Sequence, residues 1–163
     1  MSIILGIDPG SRVTGYGLID SGNARGKPSY IASGCIRMDD TAIAPRLVTI
    51  YQSISQLIQQ YAPDTAAIEQ VFVGKSASSA LTLGHARGAA MLAVSMADIP
   101  LDEYAARSIK QAVAGTGGAD KQQVQDMVVR LLNLNKAPAA DAADALAIAM
   151  CHAFSSNRYA QAL

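Results

Sequence analysis

Four acidic residues stand where an acid is hard to accommodate. Asp8 ends the apolar run Ile3-Ile4-Leu5-Gly6-Ile7, and Glu69 ends Thr65-Ala66-Ala67-Ile68 in the same manner. Asp141 and Asp144 lie three apart at the start of Asp-Ala-Ala-Asp-Ala-Leu-Ala-Ile-Ala-Met, so a helix there carries both on one face. That face continues through Ala145 and Ile148, which makes the helix apolar almost all round and therefore buried. Carboxylates pointing inward from it need compensation, because an unpaired buried charge costs on the order of several kcal/mol. No lysine or arginine stands immediately beside Asp8, Asp141 or Asp144, so a cation from solution is the simplest partner. Hard oxygen donors without His or Cys suit Mg²⁺ or Mn²⁺ rather than zinc. Four carboxylates can hold two such ions ~3.5–4 Å apart, the arrangement that clamps the attacking and leaving oxygens in phosphodiester hydrolysis.

Each acid also has a plainer reading. Asp141 and Asp144 could be an N-cap and a first-turn acid that complement the helix dipole. Asp8 could form the turn before Pro9-Gly10, and Glu69 could pair with Lys75. Taken together, the four favour a shared metal site.

The elements that must position these acids follow from pattern. Ile3 to Asp8 reads as a strand buried on both faces, opening into a loop at its carboxyl end. Gly15 to Asp20 and Tyr30 to Arg37 are two further strands, separated by the turn Ser21-Gly22-Asn23. After Pro45 the period becomes helical. Leu47, Ile50, Tyr51, Ile54, Leu57, Ile58 and Tyr61 share a face until Ala62-Pro63 stops the helix. Thr65 to Glu69 repeats the grammar of the first strand. A small-residue helix over Ser76 to Ala97 and a strand over Leu101 to Tyr104 come next. Three helices complete the chain: Ala105 to Ala114, one with Lys121 in its first turn after Gly115-Thr116-Gly117-Gly118, and one from near Asp141. The order β-β-β-α-β-α-β-α-α-α predicts a single α/β domain over 1–156, with a mixed five-stranded sheet and helices on both faces. Residues 157–163 are expected to form a short tail. If the first and fourth strands are parallel neighbours, Asp8 and Glu69 emerge at one carboxyl edge, where open α/β sheets place their sites.

Composition narrows the class. The 163 residues suit one domain, half of them are apolar, and only eight are aromatic. Alanine supplies thirty, so the core must be built from small side chains on closely approaching elements. Lys plus Arg equals Asp plus Glu at 13 each. If four acids are neutralised by two divalent ions, the nine others face 13 bases and a polyanion meets a net +4. The run from Gly88 to Ala97 is too short for a membrane span of ~18 residues, and MSIILGID lacks the features of a signal peptide. Cys35 and Cys151 have no CxxC spacing and are expected in the core, and His85 and His152 are expected to be ordinary polar residues. A reduced cytoplasmic domain without a membrane partner is the expectation.

Gly6-Ile7-Asp8-Pro9-Gly10-Ser11-Arg12-Val13-Thr14-Gly15, Ile68-Glu69-Gln70-Val71-Phe72 and Asp141-Ala142-Ala143-Asp144-Ala145-Leu146-Ala147 resemble the motifs of the RuvC family of Holliday-junction resolvases. The blocks Leu83-Gly84-His85-Ala86-Arg87-Gly88 and Glu103-Tyr104-Ala105-Ala106-Arg107 resemble it too, in the same order. The likeness spans about residues 2–155. It implies a ribonuclease H-like fold and a Mg²⁺-dependent homodimeric endonuclease that nicks a four-way DNA junction on two opposed strands. It also implies Asp8, Glu69, Asp141 and Asp144 as a catalytic, metal-binding tetrad, with Mn²⁺ as a possible substitute. The branch-migration motor formed by RuvA and RuvB is the partner implied.

By the same resemblance Phe72 stacks on an unpaired base, an interaction worth ~1–3 kcal/mol, and Lys75 beside it meets backbone phosphate. Without the resemblance, Phe72 reads as an anchor for the following helix. Lys110 and Lys121 match family positions tied to DNA binding and catalysis, and the helix start at Lys121 would itself attract phosphate. Arg12 and Arg87 are further phosphate candidates. Two opposed cuts need two sites, which a two-fold dimer supplies. Its contact could be the small-residue helix carrying Ala77, Ala80, Leu81, Gly84, Gly88, Ala89 and Leu92. The competing functions are an RNA-directed nuclease of the same fold and a non-catalytic junction-binding subunit. An actin-like ATPase lobe is ranked below both, because that fold needs two lobes.

Overall fold

The computed structural model describes residues 2–22, 27–39, 42–71, 74 and 76–161, with side chains as far as residue 156. Its elements are β1 (Ile3–Asp8), β2 (Val13–Asp20), β3 (Ser29–Arg37), α1 (Ile43–Tyr61), β4 (Thr65–Glu69), α2 (Ala77–Met96), β5 (Leu101–Tyr104), α3 (Ala106–Ala114), α4 (Lys121–Leu131) and α5 (Ala140–Gln161). The five strands form one sheet in the order β3-β2-β1-β4-β5. The β1–β2 and β2–β3 pairs are antiparallel, whereas β1–β4 and β4–β5 are parallel. The mixed five-stranded sheet expected from the element order is therefore present, with helices on both faces.

Alternation along the strands divides the interior into two layers. Leu5, Ile7, Leu18, Ala66 and Ile68 face α1 and α2, where they meet Ile50, Ile54, Ala90 and Val94. Ile4, Ile19 and Ala67 face the other side, against Ile109, Val113, Val124, Val128 and Leu146 of α3, α4 and α5. Parity therefore assigns Asp8 and Glu69, in step with Ile4 and Ala67, to the α5 side.

Helix α5 lies on the sheet almost backbone to backbone. A Cβ on Gly6 would overlap the carbonyl of Ala145 and come within 2.9 Å of Ala149 N, and one on Gly15 would overlap the carbonyl of Asp141. One on Gly17 would lie 2.8 Å from Leu146. Three glycines on β1 and β2 thus clear a strip for an alanine-rich helix, which explains the excess of small residues.

Two element starts differ from expectation by more than one residue. β2 begins at Val13 because Val13 and Thr14 pair with Arg37 and Ile36 across the sheet. α1 begins at Ile43, with Pro45 inside its first turn, where a missing N–H costs no helical bond. The main chain of α5 continues helically through 157–161. No helix among the described residues is long and apolar enough to cross a membrane.

Candidate active site

Register fixes the first half of the site. Ile7 pairs with Ile68 across the parallel β1–β4 contact, so Asp8 and Glu69 follow at adjacent strand ends. Asp8 also stands opposite Gly15 of β2, the glycine over which the first turn of α5 passes. That close approach brings the second half. Carboxylate oxygens of Asp8, Asp141 and Asp144 all lie within 4.8 Å of one another. Glu69 is outside this close group. Helix α5 starts over β2 and β1, and Glu69 lies one strand further on, in β4. It still acts on the group electrostatically, and it lines a pocket of about 280 Å³ with Asp144, Lys110 and Lys121.

The electrostatics are those of a crowded anionic site. Burial pushes the Asp8 carboxyl from 3.8 up to about 7, and the neighbouring charges of Asp144, Glu69 and Asp141 push the same way. Glu69 is also raised, chiefly by burial and then by Asp144, while Lys110 and Lys121 pull it down. A carboxyl that holds its proton to neutral pH because it is buried and ringed by like charges is a fit place for a hard divalent cation. The all-oxygen donor set agrees with Mg²⁺ or Mn²⁺.

One expectation needs correction. A base does reach these acids in three dimensions: Lys121 Nζ lies 3.1 Å from Asp144 Oδ2, and that hydrogen bond raises the lysine's pKa. The start of α4 holds Lys121 in place. Asp120 accepts from the Gln123 N–H at 2.8 Å, and Gln123 Oε1 accepts from the Asp120 N–H at 2.8 Å, a closed capping box. The lysine itself stays largely exposed, with 64 % of its side chain accessible. No other ion pair reaches Asp8, Glu69 or Asp141 among the described residues. Asp141 lies in the first turn of α5 but is not its N-cap, since the helix already includes Ala140.

The remaining candidates separate by position. Lys110 lines the pocket beside Glu69. Arg12 is exposed at the same sheet edge as Asp8, and its carbonyl accepts from Met38 N at 3.0 Å. Arg87 is turned inward. It donates from Nε to the Glu69 carbonyl at 3.3 Å and from Nη1 to Met91 Sδ at 3.1 Å, and it pairs with Glu103 at 3.0 Å. It acts as a strut behind Glu69, with Nε, Nη1 and Nη2 each making one of these contacts. Phe72 and Lys75 lie outside the described residues.

Sequence reasoning missed the supports of the loop after Asp8. Thr14 is fully buried, and its hydroxyl lies 3.4 Å from Gly10 N, which donates to it. Arg46 of α1, only 9 % exposed, donates from Nη1 to the Ser11 carbonyl at 3.3 Å. Its signal was available: Arg46 is a base in helical step with Ile50 and Ile54. His152 is buried, bonded to Thr65 and Tyr104 at 3.3 and 2.8 Å, as befits a packed polar residue. Cys151 is buried as expected, whereas Cys35 is only partly covered.

Comparison with known proteins agrees with this geometry. Residues 4–152 match the family model described as crossover junction endodeoxyribonuclease RuvC. A protein of that description from Aliivibrio fischeri is 60 % identical over 153 residues, covering 94 % of this chain and 87 % of its own. One from Psychromonas ingrahamii is 56 % identical over 157 residues, covering 96 % and 90 %. Among solved structures, Thermus thermophilus RuvC in complex with a Holliday junction substrate superimposes with a TM-score of 0.90 at 31 % identity, covering 98 % of this chain and 97 % of that one. The chain therefore has a ribonuclease H-like fold and belongs to the RuvC family of crossover junction endodeoxyribonucleases.

Proposed function

We propose that the protein resolves four-way DNA junctions by paired symmetric nicks during recombination and repair. It does so as a cytoplasmic homodimer, with Asp8, Glu69, Asp141 and Asp144 as its catalytic and metal-binding residues. The observation that carries this reading is the convergence of Asp8, Asp141 and Asp144 to within 4.8 Å in a chain of this family. Magnesium bound there, two ions per subunit with Mn²⁺ able to substitute, supplies the Lewis acidity that activates water and stabilises a leaving 3′ oxygen.

The chain's own groups do the rest. Asp8, Asp141 and Asp144 converge from two rigid elements, so their oxygens are positioned before substrate arrives. Glu69 adds a fourth carboxylate from β4, held by Arg87 at its carbonyl. Lys121 and Lys110 line the pocket beyond them and place positive charge where charge develops on a phosphate. Phe72 keeps the base-stacking role implied by resemblance, with Lys75 and Arg12 on backbone phosphate.

Two cuts require two copies, and α2 presents the surface for them. Leu81, Leu92 and Met96 are 66, 53 and 67 % exposed, and Gly84 and Gly88 on the same stripe have open space around them. An exposed apolar stripe of this kind, opposite the buried face of Ala86, Ala90, Ala93 and Val94, suits a two-fold contact. A branch-migration complex of RuvA and RuvB remains the partner implied by family. Residues 1–156 act as the single nuclease domain in this reading, with 157–163 as its tail.

The test is a panel of Asp8→Asn, Glu69→Gln, Asp141→Asn and Asp144→Asn proteins in paired gel-shift and nicking assays. Each should cut about 10²–10³-fold more slowly, or worse, while still binding the junction. Full activity in Asp144→Asn would remove that residue from the site. Faster cutting of an RNA–DNA hybrid than of a junction would favour the RNA-directed alternative, and binding without Mg²⁺-dependent cleavage would favour a non-catalytic subunit.

A further inference from the structure

On the far side of the α5 start from Lys110 and Lys121 lies a larger groove, of about 820 Å³. One wall is the edge strand β3, with Tyr30, Ser33, Cys35 and Arg37. The other is the connection from α4 to α5, with Asn133, Asn135 and Lys136. No acidic residue lines it among the described residues. Arg37, Asn133, Asn135 and Lys136 are all exposed, so their donors are free of the core.

The groove opens beside the carboxylates. Arg37 at the end of β3 pairs with Val13, the first residue of β2, and two residues on Gly15 faces Asp8. At its inner end the lining includes Ala139 and Ala142, which bracket Asp141 along the chain. Its second wall is held firmly: Leu134 N donates to the Val129 carbonyl at 2.9 Å, Leu132 is buried, and Leu134 packs on the same core as α4 and α5. The crevice continues past Asn133 to Lys27, and only there does an acid, Asp20, appear in the lining.

From this arrangement we infer that the Arg37–Lys136 groove is a second DNA-backbone site, which takes the duplex arm leaving the carboxylates on the side opposite Lys110 and Lys121. This deepens the proposed function and rests on it. The chemistry is that of phosphate recognition: two cations and two amide side chains on fixed walls, in a lining without anions, beside the point where a phosphodiester is cut. The two bases fix the arm's position rather than read its sequence. With cations on both flanks of the acidic cluster, the DNA is held across the site instead of from one end.

The experiment is a salt titration of junction binding, with a labelled synthetic four-way junction in EDTA so that no cutting intervenes. Each phosphate contact contributes about 0.9 to the slope of log affinity against log salt. Arg37→Gln combined with Lys136→Gln should therefore lower that slope by roughly 2 and weaken binding about tenfold at ~0.1 M salt. Arg37→Lys combined with Lys136→Arg should leave both near wild type. Thermal unfolding of each protein accompanies the titration. If the double Gln protein is less stable, Lys136→Gln alone should lower the slope by roughly 1. A wild type that binds and nicks the junction, with variants that keep its full slope, overturns the groove and leaves the carboxylate site standing. A wild type that neither binds nor nicks overturns both.

Discussion

Asp8 shows how one residue carries the electrostatic state of the site. Its carboxyl, raised from 3.8 to about 7, binds a proton more tightly in the folded protein than in the unfolded chain. Below about pH 4 the group is protonated in both states and makes no difference. As pH rises toward 7 the unfolded chain releases the proton first, so folding stability falls, and the loss levels off above about pH 7. In EDTA the protein should therefore unfold at progressively lower temperature between pH 5 and 7.5, a loss on the order of 2–4 kcal/mol. Glu69, also raised, acts in the same direction. Mg²⁺ should restore stability most at the upper end of that range, and Asp8→Asn should flatten the slope. A Tm series with and without Mg²⁺ checks this; a Tm that rises over that interval in EDTA would refute it. The acids were legible in the sequence because each interrupts an apolar run. Lys121 beside Asp144 was not, since nothing local announces a contact made by the packing of α4 on α5. The inward turn of Arg87 was hidden for the same reason, its partners Glu69 and Glu103 being on two other strands.

At the scale of elements, the site is a consequence of how near α5 can come to β1 and β2. Gly6, Gly15 and Gly17 admit it, and Ala142, Ala143, Ala145 and Ala149 complete the fit. Gly6→Ala should force the helix off the sheet, cost about 3 kcal/mol by urea unfolding, and reduce nicking along with it. Full stability in that protein would mean that the helix can shift without penalty and that the glycine strip does not set the site. The strands that end in acids were readable from their unbroken apolar character, and the helices from period and caps. The lower ends of β2 and α1 were not. The pairing of Val13 depends on β3, and the helical state of Ile43 and Ala44 depends on a proline tolerated in a first turn. The composition already implied close-packed elements, but only the register of β1 against β2 shows which glycines meet which alanines.

For the whole molecule, the described residues of one subunit present one acidic cluster, and the proposed substrate has two strands to cut. The exposed stripe on α2 is the surface proposed to supply the second. Leu92→Glu should convert a dimer to monomers in sedimentation, weakening association by roughly a hundredfold. It should also leave single unpaired nicks in place of paired ones, whereas an unchanged dimer would move the contact elsewhere. The sequence could suggest this helix from its small residues, yet could not separate packing on its own sheet from contact with another copy. In the structure Ala86, Ala90, Ala93 and Val94 are buried inward, and Leu81, Leu92 and Met96 face outward, where the proposed contact would lie. The central claim is that Asp8, Asp141 and Asp144 form one cation-dependent cutting site for junction DNA. The most direct test maps nicks on a synthetic four-way junction, strand by strand, with Mg²⁺ and with EDTA. Symmetric nicks on two opposed strands in Mg²⁺ alone are expected, and they should be absent in Asp8→Asn. Nicking that persists in EDTA, or an intact junction in Mg²⁺, would contradict it.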